Sequence, residues 1–204
     1  AHAASYARVA WQSAWCKAHF PGEFIAAVLA NWGGYYGQRV YMSEARRLGL
    51  RLRPPHVNYA RPEFCLAHPE GAATLFVGLN QVRGLTRRSI RRIVSERPFH
   101  SMSDFLTRVD PRPAEAESLA RVGALAGFGA IPELLDQINQ GAWRYAQPPL
   151  FELPRQDSEN DWSLAERVAA QEELLGVPVE AHPLELLPAR LVASAEKAKR
   201  VLGW

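Results

Sequence analysis

A glycine turn that feeds an arginine-loaded helix constrains this chain more than any other stretch. Residues 79–97 read LNQVRGLTRRSIRRIVSER, an apolar lead-in, a Gly84-Leu85-Thr86 turn and then a helical pattern. Between Gly78 and Arg97 six arginines (Arg83, Arg87, Arg88, Arg91, Arg92 and Arg97) stand against one acid, Glu96. Arg87 and Arg91 are spaced i,i+4, as are Arg88 and Arg92, while Ile90, Ile93 and Val94 fall on the opposite side. One face can therefore pack while the other concentrates positive charge at a helix start. Backbone N–H groups of the turn, beside the positive end of the helix dipole, make an anion site. A solvated arginine face on an ordinary helix explains the same run equally well.

A second stretch repeats the layout. A helix expected over about Ala114 to Val122 leads to Gly127-Phe128-Gly129 and then to a helix from about Ile131 to Asn139. Each unit alone is explained by a plain helix–turn–helix connection. As a tandem pair they form a compact four-helix module whose turns offer N–H groups to phosphates, and the polyanion such a pair suits is a nucleic-acid backbone. The second unit is poor in Lys and Arg, so the first is expected to carry most of the charge-dependent affinity. The candidate backbone-binding residues are Arg83, Gly84, Leu85, Thr86, Arg87, Arg88, Arg91, Gly127 and Gly129.

Charge is distributed to match. Residues 1–109 hold 15 Lys and Arg against 6 Asp and Glu, a surplus of nine positive charges. Residues 110–204 hold 9 against 15, a surplus of six negative ones. The basic half attracts a polyanion and the acidic half does not. With 204 residues, 48% of them hydrophobic, the chain has one or two domains and a real core. No run of about 18 apolar residues supports a membrane span, and the N-terminus lacks the pattern of a secretory signal. The first residue is Ala rather than Met, so a piece of something longer is an open expectation. Cys16 and Cys65 lie far apart without CxxC spacing, which argues against zinc or a disulfide framework and for a reducing cytoplasm.

The remaining elements read in order. Residues 3–20 predict a helix with Trp11 and Trp15 at i,i+4. Pro21 and Glu23 start a second, with Phe24, Val28 and Leu29 inward, running to about Asn31. A third spans roughly Gln38 to Leu48, stopped by Gly49, and Arg53-Pro54-Pro55 must be extended. Phe64–Leu66 and Thr74–Val77 suggest one short hairpin, the only strand signal. Ser101 or Ser103 caps a short helix near Asp104–Val109. Residues 141–161 read as a proline-rich linker, and the capping-box spacing of Ser163 and Glu166 starts a helix that ends at Gly176.

No complete active site is encoded. Asp157, Glu159 and Asp161 are the only clustered acids, and they lie in polar linker with no strand beneath, as a solvated run would. There is no P-loop ending, no GxSxG, and the six histidines show no ligand spacing.

Family resemblance extends these readings. Ala1-His2-Ala3, Tyr6, Lys17-Ala18-His19-Phe20-Pro21 and Glu23-Phe24 resemble the end of the fingers region of bacterial C-family replicative polymerases, the DNA polymerase III alpha subunits. The likeness continues collinearly through Glu44–Gly49, Pro54-Pro55, Val57-Asn58, Gly78-Leu79, Val82–Leu85, Gly123–Leu125, Glu173–Gly176 and His182–Leu184. It implies a mainly α fold: a helical fingers segment plus a tandem helix–hairpin–helix module, with one short β-hairpin. The implied layout is fingers 1–60, hairpin connector 61–77, tandem module 78–140, linker 141–161 and a helical segment 162–204 leading to an oligonucleotide-binding fold. It also implies duplex DNA (primer-template) as a partner, the rest of the polymerase chain as another, and His2 and Tyr6 near the incoming nucleotide. Gln147, Leu150 and Phe151 resemble the family's clamp-binding peptide, which adds a sliding clamp. Catalytic aspartates, and the Mg2+ they hold, are expected in the full polymerase rather than in this chain, which carries no cofactor and no metal of its own. A bacterial cytoplasmic location and no membrane follow from the same likeness. Thr86 departs from the usual second glycine, which is expected to loosen the first hairpin's phosphate contact. Two rivals remain: a free-standing helix–hairpin–helix accessory protein of DNA repair, and a structural module that binds a clamp without DNA.

Overall fold

The computed structural model describes residues 2–32, 34–141 and 161–186. Eight α-helices and a three-stranded sheet make up the described chain, a mainly α fold as expected. The helices are α1 (His2–His19), α2 (Pro21–Ala30), α3 (Gln38–Arg47), α4 (Arg87–Glu96), α5 (Met102–Val109), α6 (Pro113–Arg121), α7 (Ile131–Gln140) and α8 (Leu164–Leu175).

Helix boundaries follow the local chemistry. Pro21 sits in the first turn of α2, where its missing N–H costs nothing. Ser101 is the residue that caps α5, accepting the Asp104 N–H at 3.1 Å. Ser163 and Glu166 form the expected capping box at α8, which stops at Gly176. The stripe of α2 is shifted from its expected position: Ile25, Ala26 and Leu29 are buried, while Phe24 and Val28 are only half-buried. Helix α1 buries none of its side chains, and Trp11 is 66% exposed.

The hairpin expected around residue 70 is present as β2 (Cys65–Ala67) and β3 (Thr74–Phe76), antiparallel with Leu66 opposite Leu75. A third strand joins it. Arg51–Arg53 forms β1, parallel to β3 with Leu52 opposite Leu75, so the order is β1-β3-β2. Central β3 is buried throughout, whereas β1 turns Arg51 and Arg53 outward and only Leu52 inward. An Arg-Leu-Arg tripeptide carries no strand signal of its own; its partner lies more than twenty residues downstream, and the ladder supplies what local propensity lacks.

One continuous core runs from α2 and α3 through the sheet into the helices of residues 87–138. Phe76, Leu79, Ile93, Phe99, Phe105, Leu119, Leu125 and Leu134 are fully buried within it. Asn58 bridges two parts of this core by accepting from the Phe99 N–H and donating to the Phe99 carbonyl, both at 2.8 Å. Helix α8 closes on the rest through the Arg83 N–H, which donates to the Leu174 carbonyl at 2.9 Å, and through the Arg39–Glu172 ion pair.

Candidate nucleic-acid interface

The two glycine turns are built alike. In the first, Leu85 N–H donates to the Val82 carbonyl at 3.2 Å; in the second, Phe128 N–H donates to the Leu125 carbonyl at 3.1 Å. The third residue of each is a glycine in the left-handed region, Gly84 at φ +82° and Gly127 at φ +87°. A Cβ would meet no atom within 4 Å at either position, so backbone conformation alone demands glycine there.

The turns part company at their exits into the next helix. Thr86 is the N-cap of α4, with φ −81° and its hydroxyl accepting from the Ser89 N–H. A residue at that φ needs no glycine freedom, so the expectation that Thr86 loosens the turn does not stand on conformational grounds. The second unit inserts one more residue, Gly129 at φ +153°, before its N-cap Ala130.

Helix α4 divides its arginines between two tasks. Ile90 and Ile93 are buried, and Arg87, Arg88 and Arg91 are exposed with Arg83 and Gly84 beside them. Arg83, Arg87 and Arg91 form no ion pair with a described residue, and Arg88 has only a loose 3.9 Å contact to Asp110. Such an exposed pair contributes little. Arg92 and Arg97 are spent inside the fold instead, donating to the Arg108 and Ala60 carbonyls respectively. The expected positive face is therefore narrower than the sequence indicates.

Backbone amides at this turn are partly committed. Thr86 N–H donates to Glu115 at 2.8 Å, while the N–H groups of Gly84, Arg87 and Arg88 bond to no described residue. Glu115 itself is the feature that sequence reading missed. The residue is 4% exposed, and its carboxylate also accepts from Ser89 Oγ at 2.9 Å and from Arg112 N–H at 2.9 Å. It belongs to α6, yet it joins the positive ends of α4 and α6. Burial pushes its pKa up, but the hydrogen bonds from Arg112, Thr86 and Ser89 outweigh this and hold it below the ordinary carboxylate value.

The second turn is dressed with acid. Asp161 accepts from the Ile131 N–H at 2.9 Å and from the Trp162 N–H at 2.8 Å, capping α7 from 30 residues away. This corrects its reading as part of a merely solvated run. The Glu133 carboxylate leans over Gly129, 3.3 Å from where a Cβ would sit. On the other flank His56 Nε2 lies 3.1 Å from the Ala126 carbonyl, and its Nδ1 accepts from the Asn58 N–H. Nε2 therefore carries the proton and donates. Burial and the nearby Arg53 charge lower the His56 pKa, against the Ala126 carbonyl that favours its proton.

His2 and Tyr6 lie on exposed α1 with ring centroids 6.2 Å apart, Tyr6 being 70% exposed. Gln147, Leu150 and Phe151 fall outside the described residues, as do Asp157 and Glu159. Among the described residues no three His, Cys, Asp or Glu side chains gather where a cation would be held. No helix of the described residues is long and apolar enough to cross a membrane.

The two glycine turns, the first between a single 3-10 turn (Leu79–Gln81) and α4 and the second between α6 and α7, have the layout of helix–hairpin–helix units, and a family model described as a helix-hairpin-helix motif matches residues 49–132. The chain is 33% identical over 98% of its length to an error-prone DNA polymerase of Pseudomonas savastanoi, covering 21% of that protein. It is 30% identical over 90% of its length to DNA polymerase III subunit alpha of Deinococcus radiodurans and to that of Xylella fastidiosa, covering 16% and 17% of those proteins. By these likenesses the chain belongs, as a segment, to the family of bacterial DNA polymerase III alpha subunits and error-prone DNA polymerases. It spans about a fifth of the length of the relatives it matches.

Proposed function

We propose that this chain is the duplex-holding portion of a DNA-directed DNA polymerase, gripping sugar–phosphate backbone without reading base sequence. The observation that carries this reading is the first turn: a Gly84 N–H and two guanidinium groups, Arg87 and Arg91, with no partner among the described residues and on one exposed surface. Donors and cations gathered at a helix start suit a phosphate and nothing base-specific. Similarity along nearly the whole chain to polymerases supports this reading over a free-standing repair protein. In the full enzyme the chemistry is addition of deoxynucleotides to a primer end, with Mg2+ held by carboxylates outside this segment. His2 and Tyr6 then lie toward the incoming nucleotide, and Gln147, Leu150 and Phe151 tether the enzyme to its sliding clamp in a bacterial cytoplasm.

Titrating the 204-residue chain with unrelated short duplexes at several salt concentrations tests the grip. Affinity should be indifferent to sequence and fall steeply with salt, and Arg87→Ala with Arg91→Ala should reduce the slope by about two, roughly one per lost phosphate contact. A salt-insensitive affinity would overturn the reading. For the tether, Leu150→Ala with Phe151→Ala should abolish clamp capture and leave duplex affinity unchanged; capture that persists removes the peptide.

A further inference from the structure

The second hairpin has the turn geometry of the first but lacks its cations, and the structure shows a neighbour that has them. A groove of about 900 Å³ is lined both by Gly127, Phe128 and Gly129 of this hairpin and by Arg51 and Arg53 of the edge strand β1. Residues i and i+2 of a strand share a face, so both guanidinium stems leave β1 on the same side, and both residues are exposed. Neither has a salt bridge or side-chain hydrogen bond to any described residue. Two positive charges without a described partner thus share one face of a three-residue strand.

The strand is also fixed to the hairpin. Just beyond β1, Val57 N–H donates to the Ala124 carbonyl at 3.0 Å and His56 Nε2 donates to the Ala126 carbonyl at 3.1 Å. Behind it, Val77 N–H holds the Arg53 carbonyl at 3.1 Å. Pro54 lies 3.7 Å from the position of a Cβ on Gly123, two residues before the turn. Cations and turn are thus joined by backbone hydrogen bonds, although Arg53 and Gly127 lie 74 positions apart in sequence. The acids that share the groove are already engaged: Asp161 by the Ile131 and Trp162 N–H groups, Glu180 by Arg167 and Gln171.

We propose that Arg51 and Arg53 are backbone-binding residues, supplying to the second hairpin the phosphate-neutralising charge that its own helix lacks. The ligand is the sugar–phosphate strand of the same duplex, so this inference rests on the duplex-holding function proposed for the chain. It gives the module two electrostatic footholds: one local, from α4, and one assembled by the fold, from β1.

The test uses the 204-residue chain and the duplex titration across salt, with two variant pairs and their combination. Arg51→Ala with Arg53→Ala should lower the salt slope by about two, and joined to Arg87→Ala and Arg91→Ala by about four. Arg51→Lys with Arg53→Lys should restore the slope, because phosphate neutralisation needs charge and not the guanidinium shape. If the α4 pair flattens the slope and the β1 pair leaves it unchanged, the second foothold is refuted while duplex binding stands. If the lysine pair loses slope as the alanine pair does, the residues act through structure and the proposal fails. If neither pair alters the slope, the duplex reading itself falls.

Discussion

The two hairpins share a backbone and differ in what surrounds it. Val82–Leu85 and Leu125–Phe128 close the same turn around a left-handed glycine. Around the first, α4 presents arginines and the capping carboxylate is buried below the helix start. Around the second, the cap is exposed Asp161, Glu133 leans over Gly129, and the unpaired arginines that line the same groove, Arg51 and Arg53, belong to β1. A turn motif therefore fixes where amides point, while the sign of the local field is set by residues outside the motif.

The caps give the largest contrast. Glu115→Ala removes a carboxylate that pairs Thr86 N–H, Arg112 N–H and Ser89 Oγ in a buried place, and should cost about 3 kcal/mol. Asp161→Ala removes an exposed cap and should cost about 1 kcal/mol. Urea unfolding of both variants measures the gap, and equal losses would erase the distinction between the two hairpins.

Acid sharpens the same point. The folded pKa of Glu115 is depressed, so its contribution is complete above the unfolded carboxylate value of about 4.3 and is lost as pH falls through the lower folded value. The stability difference between the parent and Glu115→Gln should be largest at neutral pH and shrink below about pH 4.3. A difference that stays constant down to about pH 3 would mean that the carboxylate charge plays no part.

The smallest effect concerns the residue that distinguishes the turns. Thr86→Gly gives the first hairpin the Gly-x-Gly form of the second and deletes one cap hydroxyl, costing a few tenths of a kcal/mol. Duplex affinity should not rise. A tighter complex would show that the threonine restrains the phosphate contact after all.

Much of the helical layout was legible because caps and periodicity act locally. Ser101, Ser163 with Glu166, and the Ile90–Ile93 stripe each announce an element within a few residues. The arginine helix was legible for the same reason, yet its effective charge was not. Arg92 and Arg97 look equivalent to Arg91 in the sequence, and only packing commits them to the Arg108 and Ala60 carbonyls.

By itself the sequence determined the eight helices of the described residues, the two glycine turns, the β2–β3 hairpin and the kinship to polymerases, since each is written in short-range propensity or collinear motif. The tertiary structure alone decided that Arg51–Arg53 is a strand, that Glu115 and Asp161 accept helix-start N–H groups 29 and 30 residues away, and that two arginines of β1 line a groove with the second hairpin. Those features depend on long-range pairing, where a hydrogen bond or a charge finds its partner through space and leaves no spacing to read along the chain.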